Sequence, residues 1–317
     1  MSLSPKITVS EIADFLNVTP QAIHKRIKQY EIKPGRSQNK LYLTHESSRK
    51  ILQPKTKPYI ISTSVVKGGV GKTTLAESLG IRASLYGLKV LFIDLDQQAN
   101  LTKGLQMSNI ARNSPIMLDI VQKNIKAEEA VLNVIDGIDI IPSRLDNVTL
   151  DSYMMVHRVH PIGLFERVFK NLFPKYDLII CDCPPSLSAI VCSAMSSSNL
   201  TLSPLNPDVY SYDGIEIMKN ESQTIFEEHN VSINWKILLN KFDSRTVLSS
   251  TYITDLLNNK DLSKLLLKSV IRLSQEFPNS KGKEKTIFDS LRQTMAKEDI
   301  DELFKEIATQ EMNVDFL

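Results

Sequence analysis

Cysteine is scarce in this chain of 317 residues, which contains only Cys181, Cys183 and Cys192. Their odd number, and the C-x-C pair inside an apolar run, favour reduced core thiols over a disulfide or a metal site. No apolar run approaches the roughly 20 residues of a membrane-spanning helix. Residues 1–10 also lack the apolar core of a signal peptide. We therefore expect a cytoplasmic protein whose stability comes from its buried core.

Net charge is low, at +2, but it is unevenly distributed. Residues 1–57 contain eleven Lys and Arg against four Asp and Glu, a balance of +7, which leaves −5 for the rest of the 38 basic and 36 acidic residues. A small basic segment on a mildly acidic body predicts that the basic segment contacts a polyanion.

Residues 1–52 predict a small, mostly helical domain. The stretch TVSEIADFLNVTPQAIHKRIKQY contains two short helices joined by a tight turn at LNVT, which is helix-turn-helix spacing. The stretch EIKPGRSQNKLYLT is typical of a hairpin that turns at Pro34-Gly35 or at Gln38-Asn39. A third helix is expected at about 45–52, and residues 53–58, QPKTKP, predict a linker.

From Tyr59 onward, strands and helices alternate. The predicted strands are 59–65, 89–96, 137–143, 176–182, 199–205, 235–240 and 265–271. They are almost continuously apolar, as expected for parallel strands that are buried on both faces. The pattern therefore predicts an α/β fold with a doubly wound, mostly parallel sheet over residues 59–317.

The stretch VKGGVGKTT, at 66–74, follows a predicted strand and precedes a predicted helix. It departs from the phosphate-loop pattern G-x-x-x-x-G-K-[ST], because Val66 stands where the first glycine is expected and Lys67 follows it. Glycines in such a loop let backbone N–H groups surround a phosphate, and the helix N-terminus favours the same anion. The residues predicted to bind the nucleotide here are Lys67, Gly68, Gly69, Val70, Gly71, Lys72, Thr73 and Thr74.

Acidic residues at strand ends complete the expected chemistry. Lys72 is expected to reach the β- and γ-phosphates and Thr73 to ligate Mg²⁺. Asp182 ends one apolar strand, before a Pro-Pro turn, and is the predicted second metal ligand. Asp94 and Asp96 end another strand, and Asp96 is the better candidate to orient the attacking water because it lies further out on the loop. Asn240 follows a later strand, where its amide could contact adenine or form an Asx-turn.

These stretches together resemble the ParA family of DNA-partition ATPases, in the deviant Walker-A group that also contains MinD. KGGVGKTT matches the family's signature loop, and YDLIICDCPPS matches its Walker-B strand and second switch. IDLDQQAN resembles its first switch, with Gln97 where proline is usual. PLNPDVYSYDGIEIM and SVIRLSQEFPNSKGKEKTIFD resemble later family segments. The resemblance covers about 59–310. Proline would restrict φ at position 97, so Gln97 removes that restriction, but it removes no chemical group.

The resemblance implies a mechanism. Two subunits enclose two ATP molecules, and Lys67 reaches across to the partner's phosphates. Lys72 binds phosphate, Thr73 and Asp182 serve the Mg²⁺ site, and Asp96 serves hydrolysis. It also implies that the ATP-bound dimer binds DNA non-specifically, and that a centromere-binding partner protein stimulates slow hydrolysis and releases the dimer from DNA.

The sequence predicts two DNA-binding surfaces. On the body, basic residues fall where the family has basic loops: Arg245, Arg272, Lys281, Lys283 and Lys285. In the N-terminal segment, SEIADFLNVTPQAIHKRIK resembles the winged helix-turn-helix of MerR-type regulators. Its predicted recognition residues are Gln21, His24, Lys25 and Lys28, with Arg36 and Lys40 on the hairpin as a wing. Partition ATPases with such a domain commonly repress their own operon, so the resemblance implies autoregulation.

Two other functions stay open at this point. One is a transcription factor that uses ATP as a switch with incidental hydrolysis, and the other is an ATPase that positions a different cargo. Intact Lys67, Asp96 and Asp182 favour a working ATPase, and the basic N-terminal segment argues against cargo positioning. The C-terminal stretch FKEIATQEMNVDFL is amphipathic but acidic, so an anionic membrane would repel it. We expect no membrane partner and a nucleoid-associated protein.

Overall fold

The computed structural model describes residues 3–37 and 40–316, apart from the side chains at 209–213, 247, 248 and 250. Residues 3–52, which we call the head, contain three helices and a three-stranded sheet. The head's elements are β1 Ile7–Thr8, α1 Val9–Leu16, α2 Pro20–Gln29, β2 Gly35–Ser37, β3 Lys40–Leu43 and α3 His45–Leu52. The strand order is β1-β3-β2, with antiparallel pairing throughout.

Threonine hydroxyl groups cap the N-termini of the first two helices of the head. Thr8 and Glu11 form a capping box at the start of α1, which satisfies backbone N–H groups that have no partner within the helix. Thr19 caps α2, and Pro20 occupies its first turn, where the missing N–H has no cost. Gly35 already belongs to β2, so the hairpin does not turn at Pro34-Gly35. The alternative turn, Gln38-Asn39, lies outside the described residues.

An eight-stranded sheet forms the centre of the body, with strand order β11-β10-β9-β4-β8-β5-β7-β6. Its strands are β4 Tyr59–Thr63, β5 Val90–Asp94, β6 Leu132–Ile135, β7 Ile138–Ile141, β8 Leu178–Asp182, β9 Leu200–Leu205, β10 Trp235–Phe242 and β11 Leu266–Arg272. All pairs are parallel except β6–β7. The mostly parallel sheet that the sequence predicts is therefore confirmed, whereas the edge strand β6 was not predicted.

Helices surround this sheet. They are α4 Lys72–Leu85, α5 Asn100–Gly104, α6 Ser108–Ala111, α7 Met117–Lys123, α8 Leu150–Val156, α9 Leu164–Phe169, α10 Ala189–Ser197, α11 Val209–Glu228, α12 Val247–Asn258, α13 Glu276–Lys281 and α14 Met295–Glu306. Helix α4 begins directly after the glycine-rich loop and packs on the middle of the sheet. Parallel strands place their carboxyl ends at one edge, and the candidate site lies there.

The head shares a hydrophobic core with the body. Phe15 of α1 stacks on Tyr86 at the end of α4, with ring centroids 3.9 Å apart, and Tyr86 stacks on Phe304 of α14 at 5.3 Å. Residues of the head, α4 and α14 form one continuous cluster of buried apolar side chains. The head is therefore fixed to the end of α4 that is opposite the glycine-rich loop.

Buried charges join the same three helices. Arg82 of α4 is fully buried and contacts Glu11 of α1 at 3.2 Å and the carboxylate of Asp301 on α14. Burial raises the pKa of Glu11, but the charges of Arg82 and Lys297 outweigh it and hold that pKa below its ordinary value. Glu11 is therefore ionised at neutral pH, and the network carries charge inside the core.

Helix α3 makes a second contact between head and body. Arg49 donates hydrogen bonds of 2.6 Å to Asp177 and to the carbonyl of Gly87. His45 is buried, with Nδ1 2.9 Å from the carbonyl oxygen of Ser84, so that nitrogen is the donor. Residues 53–58, predicted as a linker, are held as well, because the backbones of Lys55 and Asp315 exchange two hydrogen bonds.

Candidate nucleotide site and basic surfaces

The glycine-rich loop has the geometry of an anion cradle. Gly69 and Gly71 have φ values of 76° and 95°, which residues with a Cβ adopt only with strain. At Gly71 a Cβ would also lie 2.5 Å from Asn240 Nδ2, so the Asn240 side chain would have to move to admit a larger residue. Helix α4 starts at the next residue, and its unpaired backbone N–H groups and positive end face whatever occupies the loop. This arrangement suits a phosphate group.

Lys72 supplies a buried positive charge to the cradle. Its Nζ donates to the carbonyl oxygen of Lys67 at 3.1 Å, and that of Val65 lies 3.4 Å away. Burial lowers the pKa of Lys72, while Asp182, Cys183 and Asp96 oppose the shift. Two carbonyl oxygens compensate only part of the desolvation of an ammonium group, so an anion beside it is stabilising.

Asp182 has an uncompensated carboxylate oxygen at the floor of the cradle. It is fully buried at the end of β8, where Thr63 donates to Oδ1 at 3.2 Å. Its Oδ2 accepts no hydrogen bond from the described residues. Burial raises the pKa of Asp182, and the nearby Thr73 hydroxyl and Lys72 partly oppose the rise. A buried carboxylate oxygen beside a hydroxyl is the donor set that suits Mg²⁺ when phosphate oxygens and water complete the shell.

The two other strand-end carboxylates have different roles. Asp94 is fully buried and accepts hydrogen bonds from the backbone N–H and hydroxyl of Thr102, at 2.9 and 2.6 Å. It therefore holds the loop that follows β5. Asp96 lies further out, lines the cavity above the cradle and accepts from the backbone N–H of Gln98 at 2.9 Å. Of the two, only Asp96 faces the space that a nucleotide would occupy.

Asn240 and its neighbour Lys241 hold the glycine-rich loop from the end of β10. Asn240 Nδ2 donates to the carbonyl of Val70 at 2.6 Å, and Lys241 Nζ donates to that of Gly69 at 2.7 Å. The amide nitrogen of Asn240 is thus engaged by the loop, and contact with adenine stays a prediction. The role of Lys241 was not predicted, although its position directly after Asn240 at a strand end was a usable signal.

A cavity of about 770 Å³ lies above the cradle, large enough for a nucleoside triphosphate. Its remaining walls come from the end of β11 and from α13, including Arg272, Leu273, Phe277 and Pro278. Lys67 is not among the lining residues; its Nζ forms an ion pair with Asp208 at 2.5 Å.

The basic residues predicted to bind DNA are in varied surroundings. On the body, Arg245 is exposed and paired with Asp243, Arg272 is held by Asp299, and Lys281 is paired with Glu77. Lys283 is exposed. In the head, exposed positions are Gln21, Lys25, Lys28, Arg36 and Lys40, whereas His24 is half-buried. Lys40 Nζ lies 3.4 Å from the carbonyl of Leu291. The face of α2 with Gln21, Lys25 and Lys28 is therefore open although the head is docked.

Comparison with known proteins identifies the family. Residues 58–237 match the AAA_31 family, described as an AAA domain. A virulence plasmid ParA family protein of Chlamydia psittaci is 30% identical over 248 residues, which are 76% of this chain and 91% of that protein. The chain belongs to the ParA family of ATPases. The family match begins at residue 58, so it covers none of the head.

A further relative and a solved structure are also similar to this ParA-family chain. The sporulation initiation inhibitor protein Soj of Bacillus subtilis is 27% identical over 234 residues, covering 73% of this chain and 91% of Soj. The crystal structure of a putative plasmid partition protein from Borrelia burgdorferi, bound to AMPPNP, has the same fold. It superposes with a TM-score of 0.64 at 23% identity, covering 78% of this chain and 98% of that one.

Metal clusters and membrane helices are both absent from the described part of this ParA-family chain. Within residues 3–37 and 40–316, no cluster of three or more His, Cys, Asp or Glu is arranged around a common point. A Mg²⁺ bound largely by phosphates and water needs no such cluster. None of the described helices combines the length and apolarity needed to cross a bilayer.

Proposed function

We propose that this protein is a DNA-partition ATPase that dimerises around ATP and binds DNA in that state. The observation that carries the proposal is Lys67, a second lysine placed beside a complete phosphate cradle whose own lysine is Lys72. A phosphate cradle that binds only the nucleotide of its own subunit needs one lysine. The plasmid ParA protein of Chlamydia psittaci and the plasmid partition protein of Borrelia burgdorferi support partition as the process.

The nucleotide is proposed to be ATP with Mg²⁺. AMPPNP, which the Borrelia protein binds, is an ATP analogue, and the cradle of the present chain suits the phosphate groups of ATP. Thr73 and Asp182 would hold the Mg²⁺, which neutralises phosphate charge when bound. Lys72 binds phosphate oxygens at the positive end of α4. Asp96, at the cavity wall, accepts a hydrogen bond from the attacking water and orients it.

The proposed function makes Lys67 essential to the dimer. In the single chain its Nζ is held by Asp208, a partner it must leave in order to reach across an interface. Lys67→Ala is expected to remove the ATP-dependent dimer and to lower turnover by roughly 10²- to 10³-fold, as loss of one transition-state donor does. Light scattering with ATP measures the first effect and phosphate release the second.

Lys57→Ala is the matched control, because Lys57 is an exposed lysine in the segment 53–58. The control should dimerise and hydrolyse ATP like the unmodified protein. A Lys67→Ala protein that still forms the full ATP-dependent dimer would refute the role in trans. ATP binding by the monomeric variant, followed with a fluorescent analogue, should persist and exclude general loss of the site.

We also propose that the head binds an operator and that the protein represses its own operon. A partner that binds centromere DNA would stimulate the slow ATPase. Two observations support operator binding by the head: its positive charge, and the open face of α2, where Gln21, Lys25 and Lys28 are exposed. Side chains of this kind contact base edges and phosphates when a helix enters the major groove.

Substitution on α2 should separate specific from non-specific binding. Lys25→Ala together with Lys28→Ala is expected to weaken operator binding and to reduce its salt dependence by about 0.9 in slope for each phosphate that is no longer neutralised. Binding of the body to unrelated DNA should change little. Gel shifts with DNA from upstream of the protein's own operon measure operator binding, and gel shifts with a scrambled duplex measure non-specific binding. The control is Lys33→Ala, because Lys33 is an exposed lysine of the head outside α2. Unchanged preference for the upstream region would show that α2 does not bind the operator.

A further inference from the structure

Two side chains at the end of β10 hold consecutive carbonyl groups of the glycine-rich loop. Lys241 Nζ donates to the Gly69 carbonyl at 2.7 Å, and Asn240 Nδ2 donates to the Val70 carbonyl at 2.6 Å. We infer that Asn240 and Lys241 are positioning residues, which aim two backbone N–H groups of the loop at the phosphates of the nucleotide. This role depends on the proposed binding of ATP. It places part of the affinity for the nucleotide outside the loop itself.

Peptide geometry links the two carbonyl contacts to the N–H groups. The peptide bonds of the loop are trans, and in a planar trans peptide the C=O and N–H groups point in opposite directions. The Gly69 carbonyl shares its peptide with the Val70 N–H, and the Val70 carbonyl shares its peptide with the Gly71 N–H. Because β10 holds both carbonyls on one side, both N–H groups point to the other side. Neither N–H donates to any residue that the structure describes, so both can bind phosphate oxygens.

A β-bulge brings the two side chains to the same loop. In a regular strand, consecutive side chains point to opposite faces of the sheet. Leu239 of β10 pairs with Val270 of β11, and the next pair joins Phe242 to Arg272, so β10 has one extra residue between the two pairs. Lys241 lies in this bulge with φ at 53°, a left-handed conformation that is costly for a residue with a Cβ. Bulges re-aim side chains beside functional sites, and this bulge supplies two adjacent donors.

The charge of Lys241 strengthens the effect of its hydrogen bond. An ammonium donor makes a shorter and stronger bond to a carbonyl than a neutral donor does. Such a bond also polarises the peptide, so the Val70 N–H on the far side becomes a better donor. In loops of this kind the backbone N–H groups surround the α- and β-phosphates. We therefore expect Lys241 to affect the binding of ADP as much as that of ATP.

The test measures affinity and turnover separately in the full chain. Lys241→Met removes the donor and its charge but keeps most of the side-chain length. The dissociation constants for ATP and ADP should both rise about tenfold, as expected for the loss of one charge-assisted hydrogen bond. Because the β-phosphate is held before and during transfer alike, KM should rise while kcat stays within about threefold of the unmodified value. Calorimetric titration with each nucleotide and phosphate release at saturating ATP measure these quantities.

Three further variants separate positioning from structural support. Lys241→Arg keeps a charged donor and should recover most of the lost affinity. Asn240→Ala removes the neighbouring donor and should weaken the binding of both nucleotides in the same way. Lys170→Met is the matched control, because Lys170 is an exposed lysine of the body that does not line the nucleotide cavity. It should bind and hydrolyse ATP like the unmodified protein.

The possible outcomes distinguish this role from the proposed function. Unmodified protein that binds neither ATP nor ADP would refute the proposed function. If the unmodified protein binds both and the Lys241→Met protein binds them equally tightly, only the positioning role is refuted. A fall in kcat without a rise in KM would show that Lys241 acts on the transferred phosphoryl group instead. A lower thermal transition in Lys241→Met, without recovery of affinity in Lys241→Arg, would show a merely structural contact.

Discussion

Lys72→Ala is expected to abolish ATP hydrolysis, with turnover falling by roughly 10³-fold or more. The side chain is buried at the centre of the cradle, where its charge is compensated only by two backbone carbonyl groups and by more distant carboxylates. Without the Lys72 side chain, the positive end of α4 lacks the ammonium charge that stabilises the phosphoryl group during its transfer. Phosphate release measures the loss, and a fluorescent ATP analogue measures affinity.

Lys72→Gln refines the same test. Its amide can still donate toward the backbone carbonyls, so the loop keeps a hydrogen bond while the charge is gone. Loss of turnover in both variants, with an unchanged thermal transition, assigns the effect to charge. Near-normal turnover in either variant would overturn the assignment of the site.

Glu11→Gln is expected to destabilise the whole protein by about 3 to 5 kcal/mol, the cost of removing one member of a buried ion pair. Arg82 is fully buried, and with Glu11 neutralised it keeps a single carboxylate partner, Asp301, for a charge that cannot reach water. The urea midpoint should therefore fall for the body as well as for the head, because Arg82 lies on the helix that starts at the phosphate cradle.

Asp14→Asn is the matched control, since Asp14 is an exposed carboxylate on the same helix. It should change stability by less than about 0.5 kcal/mol. An equally small effect of Glu11→Gln would mean that the head and body are energetically independent despite their contact. The shared core also makes truncation a poor test of the head, because deleting it would expose the stacked face of Tyr86 and the charge of Arg82 to solvent.

Much of the site could be predicted because its chemistry is local in sequence. The glycine-rich loop lies between a strand and a helix that each have a clear pattern, and Asp182 sits at the end of a neighbouring strand. The structure brings them together through parallel pairing, in which Thr63 of β4 lies opposite Asp182 of β8. Asp96 lines the nucleotide cavity, whereas Asp94 is fully buried. The catalytic roles themselves stay predictions.

What could not be predicted depends on contacts between distant segments. The pairing of Lys281 with Glu77 and the contacts of Lys241 with the phosphate loop join residues separated by 204 and 172 positions. No local pattern indicates such partners. The same holds for the docking of the head, since a basic helical segment followed by QPKTKP is equally typical of a tethered domain. Strand β6 was missed because its half-buried residues pair only at the sheet edge.

The contacts of residues 3–55 with residues 288–316 have a consequence for biosynthesis. Backbone hydrogen bonds join Lys6 to Phe288 and Lys55 to Asp315, and Phe15 packs against Phe304. A ribosome delivers the head before residues 288–316, so Phe15 can pack on Tyr86 early but reaches Phe304 only after α14 has emerged. Contacts of such high sequence separation slow folding and prolong exposure of apolar surface. The surface of the head that packs on α14 thus stays open to chaperones until α14 has emerged.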